Sequence, residues 1–204
     1  MYKKIIFAAC ILACLPLAFI SCNPAANANT PATDSTGMVF KFNGYESQAK
    51  WGEHLVTLGG CNDCHTPKKM GPQGPEDDSS LSLSGHPAQM PPPDIDRKMV
   101  EAKHFGVTTT QTVWVGPWGI SYAANLTSDS TGIGNWKEEQ FIKCIREGKW
   151  MGLDNTRPLL PPMPWRNMRL MTDDELKAIF AYLKSTKPVH NNIPVAAPPL
   201  SAMR

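Results

Sequence analysis

The stretch Gly59-Gly60-Cys61-Asn62-Asp63-Cys64-His65-Thr66-Pro67 decides how this 204-residue chain is read. Its centre is C-x-x-C-H. Each thiol can form a thioether to one vinyl group of the same porphyrin, and the next residue then offers an imidazole nitrogen to the iron. One short turn therefore supplies both covalent anchors and one axial ligand of a c-type haem. Two other chemistries use C-x-x-C. A thioredoxin-like redox pair follows a strand in a βαβ unit, whereas here a helical pattern ends at Gly59-Gly60. A zinc site needs a second Cys/His pair at metal spacing, and the chain holds no second C-x-x-C.

Before this stretch lies a targeting pattern. Lys3 and Lys4 precede an apolar run from Ile5 to Ile20 broken only by Pro16, and the run closes at Ser21-Cys22. Phe19-Ile20-Ser21-Cys22 resembles a bacterial lipoprotein box, with Cys22 as the lipidated residue. Residues 1–21 are thus expected to be a signal, residues 22–40 a flexible tether rich in Ala, Asn, Pro, Thr and Ser, and the rest exported to the periplasmic side of a membrane. Removing the signal takes away two lysines and no acid, so 20 Lys+Arg against 18 Asp+Glu becomes an even balance. No basic run appears, which argues against a nucleic-acid partner. Of six cysteines, Cys10 and Cys14 leave with the signal, Cys22 takes lipid, and Cys61 and Cys64 take haem. Cys144 remains without a disulfide mate and reads as a small buried hydrophobe.

Helical periodicity appears in three places. Tyr45–Leu58 carries Trp51, Leu55 and Leu58 on one face and Gly52 and Val56 on an adjoining one, with Gly52 set for a close helix crossing. Trp136–Glu147 has Phe141, Cys144 and Ile145 together, with Asn135 and Glu138 as the expected caps. Thr172–Ser185 has a Thr172/Glu175 capping box and the stripe Leu176, Ile179, Phe180, Leu183. Between them, Thr66–Pro93 reads as loop, Arg97–Phe105 as a short helix, Thr108–Val115 as a strand or hairpin arm, and Tyr122–Asn135 as loop. A carbonyl near Pro72 is the candidate acceptor for the second ring nitrogen of His65. Gly132-Ile133-Gly134 lacks the third glycine of a dinucleotide loop. The tail from Val189 to Arg204, with its prolines, is expected to lie over the surface or to be disordered.

A six-coordinate haem needs a second protein ligand. Met163 sits in Leu159-Leu160-Pro161-Pro162-Met163-Pro164-Trp165, where prolines on both sides pre-order the loop. Trp165 is placed to pack on the ring or donate its N–H. Met151 is the next choice, Met168 and Met171 lack the rigid setting, and His86 or His104 would give bis-histidine ligation.

Gly60–Pro67, Asn125-Leu126-Thr127, Thr131–Trp136, Pro162–Trp165 and Asp174–Leu183 together resemble a class I cytochrome c, and more narrowly the single-haem domains of bacterial dehydrogenase cytochrome subunits. The resemblance runs from about Gly44 to Ser185. It implies a mainly α fold, a small helical bundle around one covalent haem with long Pro/Gly-rich loops, spanning 41–187 with an insertion at about 66–124 and a Pro-rich tail at 188–204. It implies Cys61 and Cys64 as thioether sites, His65 and Met163 as axial iron ligands, and a crossing of first and last helices at Gly52 against Phe180 or Tyr182. The implied role is one-electron transfer, from a quinol-oxidising complex or periplasmic dehydrogenase to an oxidase or another cytochrome, rather than catalysis. A haem enzyme or sensor with an open iron site, or a fixed subunit of a dehydrogenase complex, are the competing readings.

Overall fold

The computed structural model describes residues 41–91, 93–103 and 106–203. The signal, the tether with Cys22, and His104 lie outside the described residues.

The helical frame is α1 (Gln48–Leu58), α2 (Cys61–His65), α3 (Arg97–Lys103), α4 (Glu138–Glu147), α5 (Trp165–Met168) and α6 (Asp173–Ser185). Ser47 caps α1 through its hydroxyl, and the Thr172/Glu175 capping box closes the start of α6 as the sequence predicts. α4 starts two residues later than expected, after Lys137, without a side-chain cap.

α1 packs against α6, and one atom decides how closely. A Cβ built on Gly52 would stand 1.8 Å from the Ala178 carbonyl oxygen and 2.9 Å from the Tyr182 Cβ. Only glycine admits this approach. The crossing also decides which face of α1 is covered: Gly52 and Val56 are buried, while Leu58 is 72% exposed. Of the expected Trp51/Leu55/Leu58 stripe, Leu55 packs half-buried against the main core while Leu58 does not, because the helix turns toward its smallest residue. Val56 joins Leu83, Ile133, Phe141, Ile145, Leu176, Ile179, Phe180 and Leu183 in the main core. Burying each large aliphatic side chain contributes about 1.5–3 kcal/mol.

The described residues carry more sheet than a mainly helical reading expects. β1 (Lys68–Gly71) and β2 (Gly74–Asp77) form a hairpin in the segment read as loop. β3 (Gly106–Val107), β4 (Val113–Gly116) and β5 (Gly119–Tyr122) form a second antiparallel sheet. Val113, Val115 and Ile120 build a separate small core there, covered by Val100 and Ala197.

The tail does more than lie on the surface. Ile120 and Ala197 exchange both backbone hydrogen bonds, at 2.9 and 3.1 Å. Arg97 donates to the Pro198 carbonyl at 2.8 Å, and Leu200 N–H donates to Glu101 at 2.8 Å. The end of the chain thus straps the second sheet and α3. Prolines leave few N–H groups, so isolated partners rather than a ladder hold the segment.

Candidate functional site

α2 is a single turn, and its entry is fixed by Gly60 at φ +62°, where a Cβ would meet the Asp63 carboxylate at 2.8 Å. Cys61 and Cys64, three residues apart, share a face. The turn is pinned from behind: Thr66 donates its hydroxyl to Asn62 Oδ1 at 2.7 Å and accepts from Leu83 N–H at 2.9 Å. Lys68 Nζ donates to the Asn62 and Thr66 carbonyls, both at 2.8 Å.

The acceptor for His65 is not near Pro72. That proline stands at the turn of the β1–β2 hairpin, while His65 Nδ1 lies 2.8 Å from the Ala124 carbonyl, in the segment after β5. A carbonyl only accepts, so Nδ1 carries the proton and Nε2 is bare. Burial pushes the imidazole pKa down, against a smaller upward pull from the Ala124 bond. A neutral ring with a bare Nε2 is the form that binds a metal.

α2, the β4–β5 hairpin, α4, α6 and the loop before α5 enclose a cavity of about 370 Å³. Cys61, Cys64 and His65 line it, and so does the run Leu159–Pro164 with Met163. The tertiary fold thus joins segments about a hundred positions apart. Met151 and Met168 also reach the lining; Met171 and His86 do not. Trp165 is not at the cavity: its ring covers Gly148, where a Cβ would come within 2.5 Å of it. His86 is buried with Nδ1 2.9 Å from the Thr112 hydroxyl. Cys144 is buried as expected and also lines the cavity, with its thiol pushed up to about 11 by burial. The same cause raises Cys61 to about 11 and raises Cys64.

The residues fit a haem. The volume falls in the range of about 300–1,000 Å³ usual for cofactor sites. The lining is aromatic and aliphatic: Trp114, Trp136, Phe141, Ile179 and Leu183 are on it. Among the described residues no three His, Cys, Asp or Glu side chains converge to hold a bare ion. One imidazole and a methionine sulfur suit an iron already held by a macrocycle.

Sequence reasoning missed the cation. Arg157 lines the cavity with its guanidinium 4.1 Å from the Trp150 ring centre. Its one hydrogen-bond acceptor among the described residues is the neighbouring Pro158 carbonyl, at 3.0 Å. Burial pulls its pKa down. A half-buried, unneutralised guanidinium complements the two carboxylates of a haem edge. The signal lay in sequence, in an arginine six positions before Met163 with no acid beside it except Asp154. Trp114 and Ser121, cross-strand partners in β4–β5, were equally unread, and both line the cavity.

No family model matches the chain. Segments of 75–89 residues match curated proteins. The fructose dehydrogenase cytochrome subunit of Gluconobacter japonicus is 39% identical over 36% of this chain and 15% of its own length. The gluconate 2-dehydrogenase cytochrome c subunit of Pantoea cypripedii is 35% identical over 39% of this chain and 17% of its own. This chain resembles the cytochrome c subunits of dehydrogenases. The cytochrome c subunit of a quinone-dependent alcohol dehydrogenase of Gluconobacter oxydans is 35% identical over 42% of the chain, which covers 18% of that protein. The chain thus spans less than a fifth of the length of these curated relatives.

Proposed function

We propose that this chain is a mono-haem cytochrome c that carries single electrons, with haem on Cys61 and Cys64, His65 and Met163 as axial ligands, and a class I cytochrome c fold. One observation carries the reading: both thiols of C-x-x-C-H, His65 and the Pro-Met-Pro loop line a single apolar cavity. When bound, haem c supplies an iron that changes charge by one electron.

The chain's own residues do the rest. The Ala124 carbonyl fixes the tautomer and plane of His65. The Leu159–Pro164 run holds Met163 with little freedom to lose, since three of its six residues are prolines. Trp114, Trp136, Phe141 and Leu183 keep water from the centre. Arg157, stacked on Trp150, offers the carboxylates a cation.

Absorption spectra of purified holoprotein test the ligation. The near-infrared band of methionine-ligated ferric iron is expected in the wild type, in Met151→Ala and in Met168→Ala, and is expected to vanish in Met163→Ala. A wild type without the band, or a ferrous form that binds carbon monoxide readily, overturns the His/Met assignment. Absence of haem after denaturing electrophoresis overturns the whole reading.

The relatives' names support a dehydrogenase as the electron donor, with a quinol-oxidising complex as the other source and an oxidase or second cytochrome as acceptor. Co-purification of a dehydrogenase at high salt would mark a fixed subunit, and its loss a shuttle. The Ser21-Cys22 pattern supports export and a lipid anchor on the periplasmic side of a membrane. Cys22→Ala is expected to move the protein from the membrane fraction to the soluble one.

A further inference from the structure

We propose that Asn191, in the C-terminal tail, positions the proximal imidazole by locking the backbone on both sides of Gly85. The proposal rests on the haem reading above.

Gly85 touches both the His65 backbone and the peptide that accepts from the His65 ring. Its N–H donates to the His65 carbonyl at 2.8 Å. Its α-carbon lies against the peptide that accepts from the ring: at φ +75°, a Cβ there would stand 2.6 Å from both the carbon and the oxygen of the Ala124 carbonyl, and 2.5 Å from Ala123 O. His86 N–H closes the same contact with a 3.0 Å bond to Ala123 O. The Ser84–His86 backbone is therefore the bed on which the His65 acceptor rests.

Asn191 fastens that bed. It is 8% exposed, and its carboxamide donates to the Ser84 carbonyl at 2.8 Å and to the His86 carbonyl at 2.9 Å. Its oxygen accepts from Ala88 N–H at 2.8 Å. One side chain thus grips the residues before and after Gly85. Its backbone holds the other partner: Asn191 N–H donates to the Thr131 hydroxyl at 2.9 Å. Asn125, next to Ala124, donates to the same hydroxyl at 3.1 Å and to the Val189 carbonyl at 2.9 Å. The tail therefore clamps both strands of backbone that meet at the Ala124 carbonyl. Asn191 lines no part of the cavity, so it is a positioning residue.

A firm Nδ1–H bond to a carbonyl makes imidazole the more basic ligand and favours ferric iron. Removing the Asn191 carboxamide strands the two buried carbonyls of Ser84 and His86 and frees the Ala88 N–H, and the bed relaxes. The ring then donates less well.

The test uses the holoprotein with ¹⁵N-labelled histidine. Asn191→Ala is expected to raise the reduction potential and to speed solvent exchange of the His65 Nδ1 proton by about tenfold, the factor that one weakened hydrogen bond supplies. Thr131→Val, which removes only the shared hydroxyl, is expected to shift both in the same direction by less, and serves if Asn191→Ala does not fold. Asn192→Ala, an exposed neighbour, and Arg97→Ala, which frees the tail beyond Ala197, are expected to leave both at wild-type values. A lower melting temperature in Asn191→Ala and Thr131→Val with unmoved potential and exchange would reduce Asn191 to a tail anchor and overturn the proposal alone. A wild type in which His65 does not bind iron overturns the haem reading and this proposal together.

Discussion

The wall of the cavity that bears His65 and the wall that bears Met163 are stiffened by different means. The His65 wall depends on long-range hydrogen bonds: Ala124 accepts from a residue 59 positions earlier, and Asn191 reaches back 107 positions to Ser84. The Met163 wall depends on covalent restriction. Its prolines hold the chain locally, with two outside hydrogen bonds: Ser121 Oγ donates to the Pro161 carbonyl at 2.6 Å, and Leu159 N–H donates to the Gly148 carbonyl at 2.7 Å. A histidine ring must be oriented about two axes and needs a fixed acceptor. A thioether has no proton to place, so a stiff loop is enough.

Both walls hang from the α1–α6 crossing, so the largest effect should come from breaking it. Gly52→Val puts a branched side chain where a single Cβ already overlaps the Ala178 carbonyl, and should destabilise by about 3 kcal/mol in chemical denaturation. A loss below about 1 kcal/mol would mean that the helices separate freely and that the frame is softer than the two walls. The next test sets the walls against each other. His65→Ala strips the half-buried Ala124 carbonyl of its donor, at a cost of about 1–3 kcal/mol beyond the lost ligand. Met163→Ala orphans no such group, and should lower the melting temperature less while opening the iron to added imidazole. Equal losses would erase the contrast. A smaller effect is expected for Ser121→Ala, about 1 kcal/mol, with easier displacement of Met163 by imidazole and no change in exchange of the His65 ring proton.

The smallest effect lies outside both walls. Arg146 pairs with Asp173 at 2.6 Å across α4 and α6, and the hydrogen bond from Arg146 holds that carboxyl below its ordinary value. A depressed folded pKa means that the pair stabilises above the ordinary carboxylate range and that this is lost as pH falls through the lowered value. Melting curves of wild type and Asp173→Asn should differ slightly at neutral pH and converge in acid. A difference that persists in acid would assign the effect to the helix start instead.

The helices were legible because their signals are local. Thr172 and Glu175 sit three apart, and Phe141, Cys144 and Ile145 repeat at helical spacing. The hairpin at Lys68–Asp77 was not, because its strands are four residues each and carry charge and glycine rather than β-branched residues. The face of α1 was misread for a related reason. Periodicity ranks faces by apolar bulk, and a crossing at Gly52 is won by the absence of bulk. At the site, Cys61, Cys64, His65 and Met163 could be named from spacing and proline context. Trp165 was drawn in by adjacency in sequence, yet the short helix after Pro164 turns its ring onto Gly148.

The sequence by itself determined the grouping of two thiols and an imidazole, since these sit within five residues on one local turn. It also determined the stiffness of the methionine loop, since proline restricts φ wherever it stands. Tertiary structure alone decided which carbonyl receives the His65 proton, which cation faces the cavity and that the tail fastens the histidine wall. Those are contacts between groups that any residue or many residues can supply, a backbone oxygen or a buried amide, so no pattern of residue types announces them in advance.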